Sequence, residues 1–132
     1  MGMSDIADIE NEIRNKIEKI VEVDPRYSVE AYSFMIEAVE QIISELPLPR
    51  HVSARELLEG IKKIAWERFG PMAKEVFNFW GVKTTGDFGY IVYNLIDYEL
   101  LRKSEEDRLE DFFDVYDFEE TFENGYFKER ST

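Results

Sequence analysis

Residues 53–69 read SARELLEGIKKIAWERF, and this stretch has the clearest helical signature in the chain. Ser53 and Glu56 stand at the spacing of a capping box, in which each side chain accepts a hydrogen bond from the other residue's backbone amide. Apolar residues then recur every three or four positions, which is typical of a helix with one buried face. They are Leu57, Leu58, Ile61, Ile64, Ala65 and Phe69. The stretch predicts a helix and indicates a mainly helical fold.

Two further helices are predicted before this one. Isoleucines at three- and four-residue spacing predict an amphipathic helix over residues 5–22, which Asp24-Pro25 ends. Ser28 can cap a second helix with a wide apolar face that reaches Leu46, where Pro47 stops it. These two helices form a predicted N-terminal pair within residues 1–49.

Two helices are predicted after it. Gly70-Pro71 ends one helix and starts the next, which runs to Trp80 and stops at Gly81. A fifth helix begins near residues 85–87 and carries apolar side chains inward as far as Leu100. The helical period is then lost, and two short extended pieces near 100–103 and 109–113 predict a small β-hairpin.

The order of elements over residues 73–103 resembles a winged helix-turn-helix: a short helix, a tight turn, a longer helix and a hairpin. We therefore predict a mainly α, five-helix single domain, with a winged-helix-like core at residues 50–113, a small C-terminal β-hairpin and an acidic aromatic tail at residues 114–132. In a winged helix the second helix contacts DNA, and here its outward positions offer few basic side chains for the phosphates. Nucleic acid is therefore an unlikely partner. The outward positions are Asp87, Tyr90, Tyr93, Asn94 and Asp97, followed in the wing by Glu105, Glu106 and Asp107, with Lys83, Arg102 and Lys103 as the nearby bases.

A broader resemblance rests on short strings along the chain. They are DPRYSVEAY at 24–32, HVSARELLEGI at 51–61, GPMA at 70–73, FWG at 79–81 and DFG at 87–89. Over residues 15–122 these strings resemble a family of short, uncharacterised bacterial proteins. Membership implies a shared fold but no established activity, and it assigns no site.

Charge is divided unequally along the chain, whose formal net charge is −13. Residues 1–49 and 104–132 are strongly acidic, whereas residues 50–103 are weakly basic. The only basic concentration surrounds the third helix, and we predict that it contacts an acidic protein partner or the chain's own acidic tail. Its members are Arg50, His51, Arg55, Lys62, Lys63, Arg68 and Lys74. Exposed charges at helical spacing more often form only a solvated helix face, and such a face would pair with Glu59 and Glu67 here.

Aromatic and acidic residues are interleaved from residue 111 into the tail, and we expect these aromatic side chains to pack back on the helical body. They are Phe112, Phe113, Tyr116, Phe118 and Phe122. If some stay exposed, they form an adhesive segment for a basic partner protein. The last ten residues are expected to fray. A second aromatic set is expected in the core: Trp66, Phe69, Phe77, Phe79 and Trp80.

Composition excludes several kinds of chemistry. The chain has no cysteine and one histidine, so thiolate chemistry and histidine-rich metal sites are excluded, and we expect no cofactor. Asp111, Asp114 and Asp117 lack the spacing of a calcium loop. No apolar run approaches the length of about 18 residues that spans a membrane, so a cytoplasmic protein with no membrane partner is expected. The single glutamine and the high charged fraction are typical of thermophile proteins.

These patterns favour a non-enzymatic protein-interaction module over two alternatives. The first alternative is a winged helix that binds nucleic acid. The second is a small enzyme that uses His51 as an acid or base near neutral pH. It requires His51 and a carboxylate at a concave surface, and no serine or cysteine nucleophile pattern accompanies the histidine.

Overall fold

Periodic apolar residues form five α-helices in the computed structural model, which describes residues 3–126. These helices are α1 (Met3–Val23), α2 (Val29–Ser44), α3 (Ala54–Phe69), α4 (Ala73–Phe79) and α5 (Thr85–Asp97). Shorter 3₁₀ turns lie at Gly70–Met72 and Leu109–Phe112, and a π-helical turn lies at Glu119–Asn124. The prediction of a mainly helical chain with five helices is confirmed.

Capping boxes fix the starts of two helices. At α3 the Ser53 hydroxyl accepts from the Glu56 amide at 3.2 Å, and the Glu56 carboxylate accepts from the Ser53 amide at 3.2 Å, as the sequence predicts. At α5 Thr84 and Asp87 form a second box. Ser28 occupies the N-cap position of α2, but its side chain makes no capping hydrogen bond.

Two helices end in the same way, with a left-handed residue that closes a Schellman motif. Gly81 (φ +89°) ends α4, and the Val82 amide donates back to the Phe77 carbonyl. Glu99 (φ +61°) ends α5, and the Leu100 amide donates to the Leu95 carbonyl. The expectation that the fifth helix carries Leu100 inward is therefore wrong, because the helix stops at Asp97 and Leu100 lies in the turn beyond it.

The predicted C-terminal β-hairpin is wrong, because residues 3–126 contain no β-strand. Residues 109–112 form a 3₁₀ turn that packs on α5. Gly86 and Gly89 lie one helical turn apart on α5, and their missing side chains let Phe113 and Phe112 approach the helix backbone. Phe112 is buried there. Docking of this turn against α5 replaces strand pairing as the way to bury its apolar side chains.

The prediction of a winged-helix-like core is also wrong, because the strands of a wing are missing from residues 3–126 and because α5 is packed inside the fold. Without strands in the described part of the chain there is no wing. The supposed recognition helix α5 is also an internal helix, packed against α1, α2 and the 109–112 turn. Tyr90 and Asn94 contact side chains of the turn between α1 and α2, so they do not face outward. An element in this position cannot enter a DNA groove.

The acidic aromatic tail packs back on the helical body up to residue 126, as expected. Phe118 and Phe122 are buried against Phe77 of α4, with ring centroids 5.8 and 5.2 Å away. The Trp66 indole donates to the Thr121 carbonyl at 3.0 Å, and the Tyr116 hydroxyl donates to the Leu58 carbonyl at 2.8 Å. Of the residues expected to fray, 127–132 lie outside the described part and 123–126 are helical.

The aromatic core also contains Phe34, Phe69 and Trp80, whose rings lie within 6 Å of one another. Phe79 does not belong to it. Its side chain is 89% exposed, so its expected place in the core is wrong. No helix within residues 3–126 is long and apolar enough to cross a membrane.

Candidate interaction groove

An open apolar groove lies between α2, the start of α3 and the chain that follows α5. We call it the interaction groove. Its volume is about 910 Å³. Its main apolar lining residues are Ile36, Val39, Ile43, Leu57, Leu100 and Leu101. Five of these six side chains are only partly buried, so aliphatic surface faces the open side of the groove.

Local sequence signals place the two walls. Gly60 of α3 lies against Ile42 of α2, and the flexible end of the Ile42 side chain fills the space beside it. The left-handed Glu99 turns the chain at the end of α5, and Leu100 and Leu101 then form the opposite wall. Leu48, which is strongly exposed, stands beside the groove residue Pro49.

Charged side chains from both walls line the groove as well. Arg50 forms a bidentate ion pair with Glu56, with hydrogen bonds of 3.1 and 2.7 Å. Hydrogen bonding from Arg50 lowers the pKa of the Glu56 carboxyl to about 2. Arg102 on the opposite wall is exposed and forms no ion pair within the described residues, while Glu40 and Glu99 supply carboxylates.

His51 lies where the interaction groove meets a second, polar depression of about 540 Å³. Its Nε2 atom is 2.5 Å from Oδ2 of Asp107, and its side chain is about half exposed. The polar depression also contains Ser53 and Ser104, whose hydroxyls accept hydrogen bonds from nearby backbone amides. His51 is thus at a concave surface beside a carboxylate.

The structure does not gather the seven predicted partner-binding residues into one patch. Arg50 and His51 line the interaction groove. Three others bind carboxylates of this chain, in the pairs Lys62–Glu59, Arg68–Glu37 and Lys74–Glu123. Arg55 and Lys63 are exposed on α3 and form no ion pair within the described residues. That these residues bind a partner stays a prediction.

Sequence reasoning missed most of the groove. The sequence indicates Arg102 only as a basic residue near possible phosphate contacts. It places Leu100 at the end of the fifth helix and Leu101 in the predicted hairpin. Ile43 belonged to a long apolar face with no sign that part of it stays uncovered. The available signal was the width of that face, since α2 carries more apolar positions than one neighbouring helix can cover.

A polar cluster joins the turn between α1 and α2 to α5. The Asp24 carboxylate accepts from Arg26 at 2.8 and 2.7 Å and from Asn94 at 2.9 Å. Hydrogen bonding from Arg26 holds the pKa of Asp24 well below its usual range, although burial opposes it. The Tyr27 hydroxyl donates to Asp87 at 2.5 Å, and burial and this hydrogen bond raise the pKa of Tyr27.

This cluster brings three of the resembling strings together, since Gly81 of FWG also lies against the Arg26 carbonyl. The cluster residues also make hydrogen bonds to Thr84 and Tyr32, so the cluster joins the turn between α1 and α2 to α2 and to the start of α5. These contacts within the chain indicate that the cluster holds helices together. Asp111 and Asp117 likewise accept hydrogen bonds from local amides. Among the residues that the structure describes, no three histidine, aspartate or glutamate side chains come together as a metal site would require.

The fold and the groove define an all-helical chain, over its described residues, with an aliphatic groove between two arginines. No protein-family model, curated protein or solved structure matches it significantly.

Proposed function

We propose that this chain is a non-enzymatic protein-interaction module that binds an acidic, amphipathic polypeptide segment in the interaction groove. The observation that carries the proposal is the aliphatic lining of the groove, open to solvent between Arg50 and Arg102. Exposed apolar surface of this kind has a favourable free energy of burial, about 25 cal/mol for each Å² that a partner covers.

A helix or an extended peptide suits the shape better than a compact small molecule. The groove is bounded by helices on one side and by an irregular segment on the other. In such sites an amphipathic helix places apolar side chains into the groove and polar side chains on its rim. Arg50 and Arg102 come from separate segments that line the groove, so a bound segment can meet a positive charge from each of them.

The arginines at the rim of the groove favour a negatively charged partner. Arg102 has no carboxylate of its own among the described residues, and Arg50 shares its guanidinium with one exposed carboxylate. An acidic side chain on the partner therefore gains an ion pair at Arg102 without breaking one. Charge complementarity of this sort mainly sets the association rate and the choice of partner. The acidic tail is a weaker candidate for the binding surface because Phe118 and Phe122 are buried.

The test uses three synthetic amphipathic helical peptides that share one leucine stripe and differ only in flanking charge, acidic, neutral or basic. Fluorescence anisotropy of labelled peptides would measure their affinity for the protein. We expect the acidic peptide to bind most tightly and to weaken as salt rises. Equal affinity for all three peptides, or none for any, would remove the proposal.

Three variants locate the binding. Ile43→Asp places a carboxylate on the groove wall and should weaken the acidic peptide about tenfold or more, a loss of about 1.4 kcal/mol for each factor of ten. Arg102→Glu reverses a solvent-exposed charge and should have a similar effect without disturbing the fold. Phe79→Ser removes a strongly exposed aromatic side chain that does not line the groove, and it should leave the affinity unchanged.

One observation favours a second candidate function, acid–base catalysis by His51. The Asp107 carboxylate can orient the imidazole, and both residues line a depression that contains two serines. Chromogenic ester and phosphate substrates test this candidate directly. Turnover by the wild-type chain that His51→Gln abolishes would favour the enzyme, whereas no turnover is expected of an interaction module.

A further inference from the structure

The first half of α1 carries an apolar stripe that the other described residues leave uncovered. Ile17 and Ile20 are 3% and 1% exposed, whereas Ile6 and Ile9 on the same helix are 60% and 54% exposed. Residues 5–12 are all classed as exposed, and Ile13 marks the point where the helix begins to pack on the body. The apolar side of this half of α1, with Ile6 and Ile9, is therefore left open by the body of described helices.

The charges of α1 change along its length. Residues 5–12 contain four carboxylates and no base, and Arg14 and Lys16 follow directly. If two such helices paired in parallel and in register through their isoleucines, the acidic residues 5–12 of both copies would lie side by side. Repulsion between like charges is unfavourable, which argues against a parallel pairing of α1 with α1.

The interaction groove offers the complementary surface. It supplies aliphatic side chains for the isoleucine stripe, and Arg50 and Arg102 for the carboxylates. It also contains Glu40 and Glu99, which can pair with bases on the bound segment. Residues 5–16 of α1 contain the apolar stripe, the acids and the bases in one helical segment about 18 Å long.

We propose that the partner is a second copy of this chain, and that residues 5–16 of α1 from one copy lie in the interaction groove of the other. The inference rests on the proposed function, because it names the segment that the groove binds. If each copy donates its own α1, the two contacts are identical and the assembly closes as a dimer.

Sedimentation velocity on a dilution series of the full chain tests the proposal. We expect a concentration-dependent monomer–dimer equilibrium. Ile9→Asp should weaken it about tenfold or more, because it places a charge in the isoleucine stripe at an exposed position where folding is not disturbed. Asn11→Asp adds the same charge two residues further on, outside the stripe, and is expected to change the dimer much less.

Groove variants complete the test. Ile43→Asp and Arg102→Glu should also weaken the dimer. A mixture of Ile9→Asp and Arg102→Glu chains should recover association, since the first has an intact groove and the second an intact α1. Pairing between α1 helices would give no such recovery, because it needs both isoleucine stripes.

The outcomes separate the two proposals. A chain that stays monomeric at every concentration, or a dimer indifferent to Ile43→Asp and Arg102→Glu, would overturn the second-copy proposal. If such a chain still binds the acidic peptide in a manner that depends on Arg102, the proposed function stands. If the peptide does not bind either, both proposals fall.

Discussion

The side chain of Phe112 lies directly on Gly89 of α5. A Cβ atom on Gly89 would be 2.7 Å from the Cβ of Phe112 and 2.8 Å from its Cγ. These distances are well inside van der Waals contact, so glycine is the residue that fits here without movement of the backbone. The contact fixes the 109–112 turn against α5. The segment that joins the groove wall to this turn, residues 102–108, is thereby held at both ends.

Gly89→Ala is therefore expected to destabilise the fold. The new methyl group meets the root of the Phe112 side chain, and overpacking of this kind costs about 1–3 kcal/mol, which outweighs the higher helix propensity of alanine. Gly60→Ala is the matched control, because its methyl meets the flexible end of Ile42, which also borders the open groove. Urea unfolding followed by tryptophan fluorescence would measure both. A Gly89→Ala chain as stable as the wild-type chain would show that Phe112 does not constrain Gly89.

Glu99→Gly is expected to stabilise the chain. Glu99 occupies the left-handed position of a Schellman motif at φ +61°, where glycine has no side-chain penalty, and its carboxylate makes no ion pair within the described residues. The free energy of unfolding should rise by about 1 kcal/mol. Thermal unfolding by circular dichroism would show it. Glu105→Gly, an exposed substitution in the following loop, should show no such gain.

Phe122→Ala tests whether the acidic aromatic tail belongs to the core. Phe122 is fully buried against Phe77 and Phe118, so its truncation should cost about 3–5 kcal/mol. Phe113 is 39% exposed, and Phe113→Ala should cost much less. Denaturant midpoints of the two variants would give the comparison. A small effect at Phe122 would mean that residues 118–126 contribute little to the packed body.

Asp24 should make stability depend on pH in the acid range. Its folded pKa lies below the unfolded value of about 3.9, chiefly because of hydrogen bonding from Arg26. At acidic pH the native state thus binds fewer protons than the unfolded state. The stabilisation from Asp24 is present above pH about 3.9 and is lost as the pH falls below that value. Asp24→Asn should lower the melting temperature at neutral pH and lose less on acidification. Asp8→Asn, on the exposed half of α1, should follow the wild-type profile.

Helix starts were predictable from the sequence because capping is local. Ser53 and Glu56 predict the start of α3 by their residue types and spacing alone. The end of α4 was equally visible, since Gly81 is the residue that a left-handed turn favours. The end of α5 was not, because Glu99 takes the same left-handed conformation without being a glycine. Leu100 and Leu101, which follow it, pack against the hydrophobic core.

The hairpin error has a related cause. Residues 109–113 read LEDFF, in which the leucine and the two phenylalanines favour a short strand. The deciding information lies about twenty residues earlier, in Gly86 and Gly89. Two glycines one turn apart on a helix indicate that another segment packs against it closely. The groove was harder still to foresee, because it depends on which part of an apolar face its neighbours leave uncovered.

Binding in the groove is tested most directly by amide chemical shifts of the isotopically labelled protein as the acidic peptide is added. Shifts should be largest at Val39, Ile43, Leu100 and Arg102 and small at Phe79. Shifts confined to Arg55 and Lys63 on α3, or no shifts at saturating peptide, would contradict binding in the groove.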